Sequence, residues 1–188
     1  MHKVSKGHFG YLKYKKKVQF LKSFLVLLSI LLLLGVGLWE TKSIKNWFTI
    51  VAVVTALPFA NFLVVWLALL PHHGRSREEY EQVAALAGDG LLNCELVVTS
   101  REKAMPLPYA IVHASGIYAY TDQKNADLNK ISEYIKTMEK SNGYEVHVKV
   151  FGNFNQFLKR LKELPAESRD EVPEDQLKVE GVLRAISM

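Results

Sequence analysis

Cysteine is nearly missing from this 188-residue chain, where Cys94 stands alone. One thiol excludes an intramolecular disulfide and a thiolate cluster for zinc or iron–sulfur. Its place in an apolar, alternating stretch reads as a buried structural thiol. The glycine signatures of nucleotide sites are missing as well. There is no Gly-x-Gly-x-x-Gly turn and no Walker loop, and Ser115-Gly116 lacks the Gly-x-Ser-x-Gly elbow. His72 and His73 are adjacent, while His113 and His147 fall in separate predicted strands, so no pair has the i, i+4 spacing that sets two imidazoles on one helix face. No catalytic, cofactor-binding or metal-ligating residue is therefore assigned, and no cofactor is expected.

Acid is scarce in the first 73 residues, where Glu40 faces nine lysines for a net charge of +8. Residues 74–188 carry 15 Lys+Arg against 18 Asp+Glu, a net of −3, so the basic pI near 9.2 belongs to the N-terminal part. A weakly acidic domain lacks the footprint of a phosphate binder, and no nucleic-acid partner is expected. Lysines at a cytoplasmic leaflet are instead attracted to anionic lipid.

What the chain has in abundance is uninterrupted apolar sequence. Phe24–Trp39 is a 16-residue run without charge and Trp47–Leu70 a 24-residue one. A helix needs roughly 20 residues to cross about 30 Å of hydrocarbon. The second run suffices, and the first reaches that length when extended back to Phe20 with Lys22 snorkelling to the interface. A cleaved signal peptide is disfavoured, because Leu38-Trp39-Glu40-Thr41 offers no small-x-small site and a second span follows at once. The lysine excess before the first span predicts both termini in the cytoplasm, with Trp39 and Trp47 at the outer interface. The organisation expected is a basic cytoplasmic segment 1–19, spans 20–39 and 47–71 around an external turn 40–46, a cytosolic α/β domain 74–164, and an acidic tail with an apolar C-terminal segment 165–188.

Within the domain, Ser76 and Glu79 form a capping box for a helix to about Ala87. Leu91–Thr99 reads as a strand with Leu92, Cys94, Leu96 and Val98 on one side. A loop with Pro106 and Pro108 then leads to a hairpin of Tyr109–His113 and Ile117–Thr121. Asn125 or Asp127 caps a helix bearing Leu128, Ile131, Ile135 and Met138 inward and ending at Asn142-Gly143. Glu145–Phe151 alternates, with Val146, Val148 and Val150 facing the core. Asn153 caps a last helix with Phe154, Phe157, Leu158, Leu161 and Leu164 inward, closed by Pro165. Residues 165–178 are rich in acid and proline and read as mobile, and Val179–Met188 regains apolar character. The predicted order αβββαβα gives a four-stranded mixed sheet carrying helices, a membrane hairpin plus an α+β domain.

That order resembles the core of the restriction-endonuclease-like fold, which includes nuclease-related domains. The resemblance implies an acid near the second strand and a Glu-x-Lys or Asp-x-Lys on the third, holding a divalent cation. Here the third strand, Ile117-Tyr118-Ala119-Tyr120-Thr121, has neither acid nor lysine, so an inactive relative is implied; Asp89, Glu95, Glu102 and Lys103 are the residues to test. Ile44–Pro58 (IKNWFTIVAVVTALP), the valine strand ending at Phe151, Phe157–Leu164 and Leu183–Met188 (LRAISM) together resemble an uncharacterised family of small two-span proteins of Gram-positive anaerobes. That likeness implies a bacterial cytoplasmic membrane and no activity. Pro58 and Asn61, midway along the second span, bear on two further readings: a kinked hairpin whose amide bonds to the first helix or a second copy, or an oligomeric transporter or channel subunit. The function expected is a membrane-anchored interaction or regulatory module, with the lipid bilayer and a protein partner or homo-oligomer as its partners.

Overall fold

The computed structural model describes residues 4–43, 46–100, 103–165 and 172–188. They divide into two units: residues 12–73, and a second in which the N-terminal segment up to Tyr11 joins residues 74–188.

The first unit consists of helices α1 (Tyr11–Thr41) and α2 (Trp47–Leu69), both long and apolar enough to cross a membrane. Only 11% and 6% of their most apolar windows are buried, so neither is the core helix of a soluble fold. Leu32, Val53 and Leu57 are 60%, 66% and 73% exposed, a continuous aliphatic surface that water does not tolerate and a bilayer does. Differences from the expected spans lie at the ends. The basic stretch 11–19 is not a separate segment but the first turns of α1, whose 31 residues make about 46 Å and outrun the hydrocarbon. The α1 helix continues to Thr41, which shortens the turn, and residues 44–45 of that turn lie outside the described ones.

Asn46 closes the hairpin. Its Oδ1 accepts from Thr49 N at 2.9 Å, capping α2, while its Nδ2 donates to Gly37 O at 3.0 Å and Thr41 Oγ1 at 2.8 Å. A Cβ at Gly37 would meet Asn46 Nδ2 and Phe48 Cβ at 2.9 Å, so glycine here makes room for those two side chains. Further along, Phe20 packs on Trp66 at 5.6 Å between ring centroids.

The second unit runs α3 (Arg77–Leu86), β1 (Leu91–Thr99), β2 (Ala104–His113), β3 (Gly116–Tyr120), α4 (Leu128–Ser141), β4 (Val148–Phe151), α5 (Phe154–Lys162) and α6 (Glu174–Ala185). The sheet order is β1-β2-β3-β4, antiparallel except for the parallel pair β3–β4 that α4 connects. Helices cover both faces. Ile131 and Ile135 of α4 pack with Val179 and Leu183 of α6 in one core, and Val83 of α3 with Phe157 and Leu161 of α5 in the other. The caps are as read from sequence: Ser76, Asp127 and Asn153 accept from Glu79 N, Lys130 N and Gln156 N, and Gly143 ends α4 at φ +92°.

Besides the last strand, which covers Val148–Phe151 and not the expected start at Glu145, four features differ from the sequence expectation. First, Pro106 and Pro108 lie inside β2 and not in a loop. β3 pairs only with Tyr109–His113, so residues 104–108 have a strand on one side alone, and a missing N–H on the open side costs no ladder bond. Second, Leu92, Cys94, Leu96 and Val98 do not share a face. Leu92 and Cys94 belong to the α3/α5 core, and Leu96 and Val98 to the α4/α6 core. Between them Glu95 adopts φ +54°, opposite Pro108; one left-handed residue breaks the period of two. Across the pair β2 switches too, with Leu107 in one core and Tyr109 in the other.

Third, the C-terminal segment adds the helix α6, and Glu174–Lys178, expected to be mobile, form its first turns; residues 166–171 of that tail lie outside the described ones. Last, the N-terminal segment is part of the domain. Cys94 N donates to Gly7 O at 2.7 Å and Phe9 stacks on Tyr80 at 4.8 Å. At the other end of β1, Thr99 N donates to Ile186 O and Met188 N to Val97 O. Both termini thus blunt an edge strand that would otherwise invite pairing. Behind them buried Asn93 accepts from Arg184 Nε at 2.6 Å and donates to Glu180 Oε1 at 2.9 Å, while Lys6 Nζ donates to the Arg184 and Ser187 carbonyls.

Candidate functional site

β1, β3 and β4 point one way and β2 the other. In open α/β sheets ligands bind outside the carboxyl ends of the parallel strands. At that end lies a cleft of about 740 Å³ between Ser100 and residues 103–105 on one side and the loop after β3 and the first turns of α4 on the other. Met105, Ile131 and Met138 supply its apolar lining, and Lys103, Gln123, Asn125 and Lys130 are exposed polar lining residues. Its walls are fixed by hydrogen bonds. Ser100 Oγ donates to Lys103 O and accepts from Lys103 N, both at 3.1 Å. Tyr134 OH donates to Thr99 O at 2.9 Å, tying α4 to the end of β1. Asp127, the carboxylate in the lining, is engaged as the α4 cap at 3.1 Å. The volume suits a small molecule or a short peptide segment, and two ammonium groups over an apolar floor favour an amphipathic occupant with acceptor groups.

A second cleft, of about 510 Å³, lies at the opposite end, with His113, Ser115, Glu145, His147 and Asp175 among its lining. His113 and His147, in separate elements of the sequence, thus meet one cavity. A polar chain runs beside it. Arg160 Nη2 donates to Tyr118 OH at 3.2 Å, which lies 3.0 Å from Ser115 Oγ, itself 2.8 Å from His113 Nδ1. Ser115 N also donates to Nδ1, so Nε2 carries the imidazole proton and gives it to Pro165 O at 3.3 Å. The serine and histidine lie two residues apart in one hairpin turn, and Tyr118 and Arg160 fasten that turn to α5. The arrangement ties the hairpin turn to α5.

The other sequence candidates disperse. Asp89 and Lys103 lie beyond opposite ends of β1, whose nine residues span about 30 Å, and β3 is buried along its whole length. Glu102 is outside the described residues. Cys94 is 1% exposed, and burial, with the Glu95 charge second, pushes its thiol up to about 12, an inert core group. Among the described residues no three His, Cys, Asp or Glu side chains could hold a metal ion. A group passed over in the sequence is Glu139. It continues the Ile131–Ile135 stripe at i+4, is fully buried, and has both carboxyl oxygens without a hydrogen bond among the described residues. Burial pushes its carboxyl up to about 7.

Set against family models, curated proteins and solved structures, the chain matches none.

Proposed function

We propose that the protein is a membrane-anchored binding module, a two-span hairpin that holds an α/β domain at the cytoplasmic surface and offers the cleft at the carboxyl ends of β1 and β3 to a partner's segment or a small ligand. The observation that carries this reading is that cleft: ligand-sized, apolar within, and rimmed by Lys103, Gln123, Asn125 and Lys130, whose side chains make no hydrogen bond or ion pair among the described residues. The orientation is supported by two facts. Residues 4–10 and 74–188 belong to one folded unit, so the chain leaves and re-enters it on the same side of the bilayer. The lysines of residues 1–22 face only Lys42, Lys45 and Glu40 in the connection, a bias that supports the cytoplasm for that side.

A photoreactive benzoylphenylalanine at Asn125 should give a defined adduct in native membranes that is lost when Ala126→Trp fills the cleft. Equal adducts from Lys159, on the far face of the sheet, would remove the cleft from the reading. Orientation is tested separately with Cys94→Ser protein: Ser43→Cys should react with an impermeant thiol reagent outside intact cells, and reaction of Asn155→Cys instead would reverse it.

A further inference from the structure

Within the hairpin, Ser23 Oγ is buried without a hydrogen bond among the described residues, while two hydroxyls of the apolar stretches bond their own helix. Ser29 Oγ donates to Leu25 O at 2.9 Å and Thr55 Oγ1 to Val51 O at 2.8 Å. Asn61 is different. It sits near the middle of α2, is exposed, and makes no hydrogen bond to either helix among the described residues, so the bond to the first helix anticipated from sequence is not made. An amide facing hydrocarbon without a partner is costly.

The residues around it are patterned. Trp47, Ile50, Val54, Leu57, Asn61, Val64 and Ala68 follow alternating steps of three and four and are all exposed, the a/d spacing of a two-helix seam. The opposite side of α2 is already used: Ala52, Phe59 and Trp66, seven apart, include the buried Ala52 and the Trp66 that packs on Phe20. On the outer face Pro58 has no N–H to give the Val54 carbonyl.

We propose that two copies of the chain pair in the membrane along this outer face of α2, the Asn61 amide of each bonded to that of the other. The occupant is a second copy because membrane insertion gives every copy the same orientation and depth. Two α2 helices brought together by a twofold axis along the membrane normal are then parallel, with Asn61 opposite Asn61. An amide carries both donor and acceptor and is self-complementary, and a single asparagine at an a position is the device that fixes register in paired helices. The inference rests on the membrane-anchored reading, but not on the cleft, so its failure leaves the cleft's test untouched.

Full-length Cys94→Ser protein in lipid vesicles supplies the experiment. Under mild oxidation Val54→Cys, Leu57→Cys and Val64→Cys should each form a covalent dimer, and Ala56→Cys and Leu63→Cys, off the seam, should not. Energy transfer between labelled copies, measured against protein-to-lipid ratio, should show Asn61→Leu raising the dimer dissociation constant about threefold to thirtyfold and Asn61→Gln largely retaining the dimer. Cross-linking without the three-four period, or an Asn61→Leu dimer as tight as the parent, overturns the proposal. The cross-linking arm is independent of any loss of folding in the Asn61 variants.

Discussion

Replacing Glu139 by methionine should stabilise the α/β domain, and by an amount that depends on pH. The carboxyl is fully buried beside the α4/α6 core, its oxygens have no hydrogen bond among the described residues, and burial holds it near 7 rather than 4.5. Burial is the one cause of that rise, and no cation among the described residues pulls it back. Below pH 4.5 the group is protonated both folded and unfolded and exacts no ionisation cost. From 4.5 to 7 the unfolded chain loses the proton while the folded one keeps it, and stability falls by about 1.4 kcal/mol per pH unit. Above 7 both are ionised and the loss levels off at about 3 kcal/mol. Methionine matches the unbranched shape and carries no charge, so Glu139→Met should gain about 3 kcal/mol at pH 8 and under about 1 kcal/mol at pH 4. Urea unfolding of the full-length protein in detergent, followed by near-ultraviolet tyrosine dichroism, reads this domain, since Tyr109 and Tyr118 lie in its core and the three tryptophans lie outside it, at positions 39, 47 and 66. A gain independent of pH, or a loss at pH 8, would refute the reasoning by showing that the carboxylate is paired.

Gly7→Ala should cost about 1 to 3 kcal/mol, because Gly7 has φ +87° and a Cβ there would lie 2.6 Å from Asn93 Oδ1; unchanged hydrogen exchange at the Cys94 amide would contradict it. A fragment of residues 74–188 should be less stable than the same fragment carrying residues 4–10 on a flexible linker, since the latter restores the Gly7 bond and the Phe9–Tyr80 stack; equal melting temperatures would mean that the strap adds nothing. Neither fragment should shift DNA or RNA mobility at about 0.15 M salt, as a net charge of −3 over residues 74–188 gives little counterion release. Asn46→Ala should loosen the hairpin turn by removing a cap worth about 1 kcal/mol together with the Gly37 tie, visible as faster exchange at Thr49.

The amino-acid sequence by itself determined the features that depend on nearest neighbours along one element. Two long apolar runs set two long apolar helices; Ser76, Asp127 and Asn153 set helix starts; the alternation of Val148, Lys149 and Val150 set which side of the last strand is buried. Tertiary structure decided what depends on partners distant in sequence. Two prolines lie within β2 because β3 is too short to reach them, and β1 changes faces because Glu95 turns left-handed opposite Pro108. The acidic start of α6 is helical because Val179 and Leu183 on the same helix have a core to enter. The cleft, too, is made by three segments that the sequence keeps apart: Ser100 with residues 103–105, residues 123–127, and the start of α4. No local pattern encodes a space between segments, since its shape is the difference between surfaces that only folding brings together.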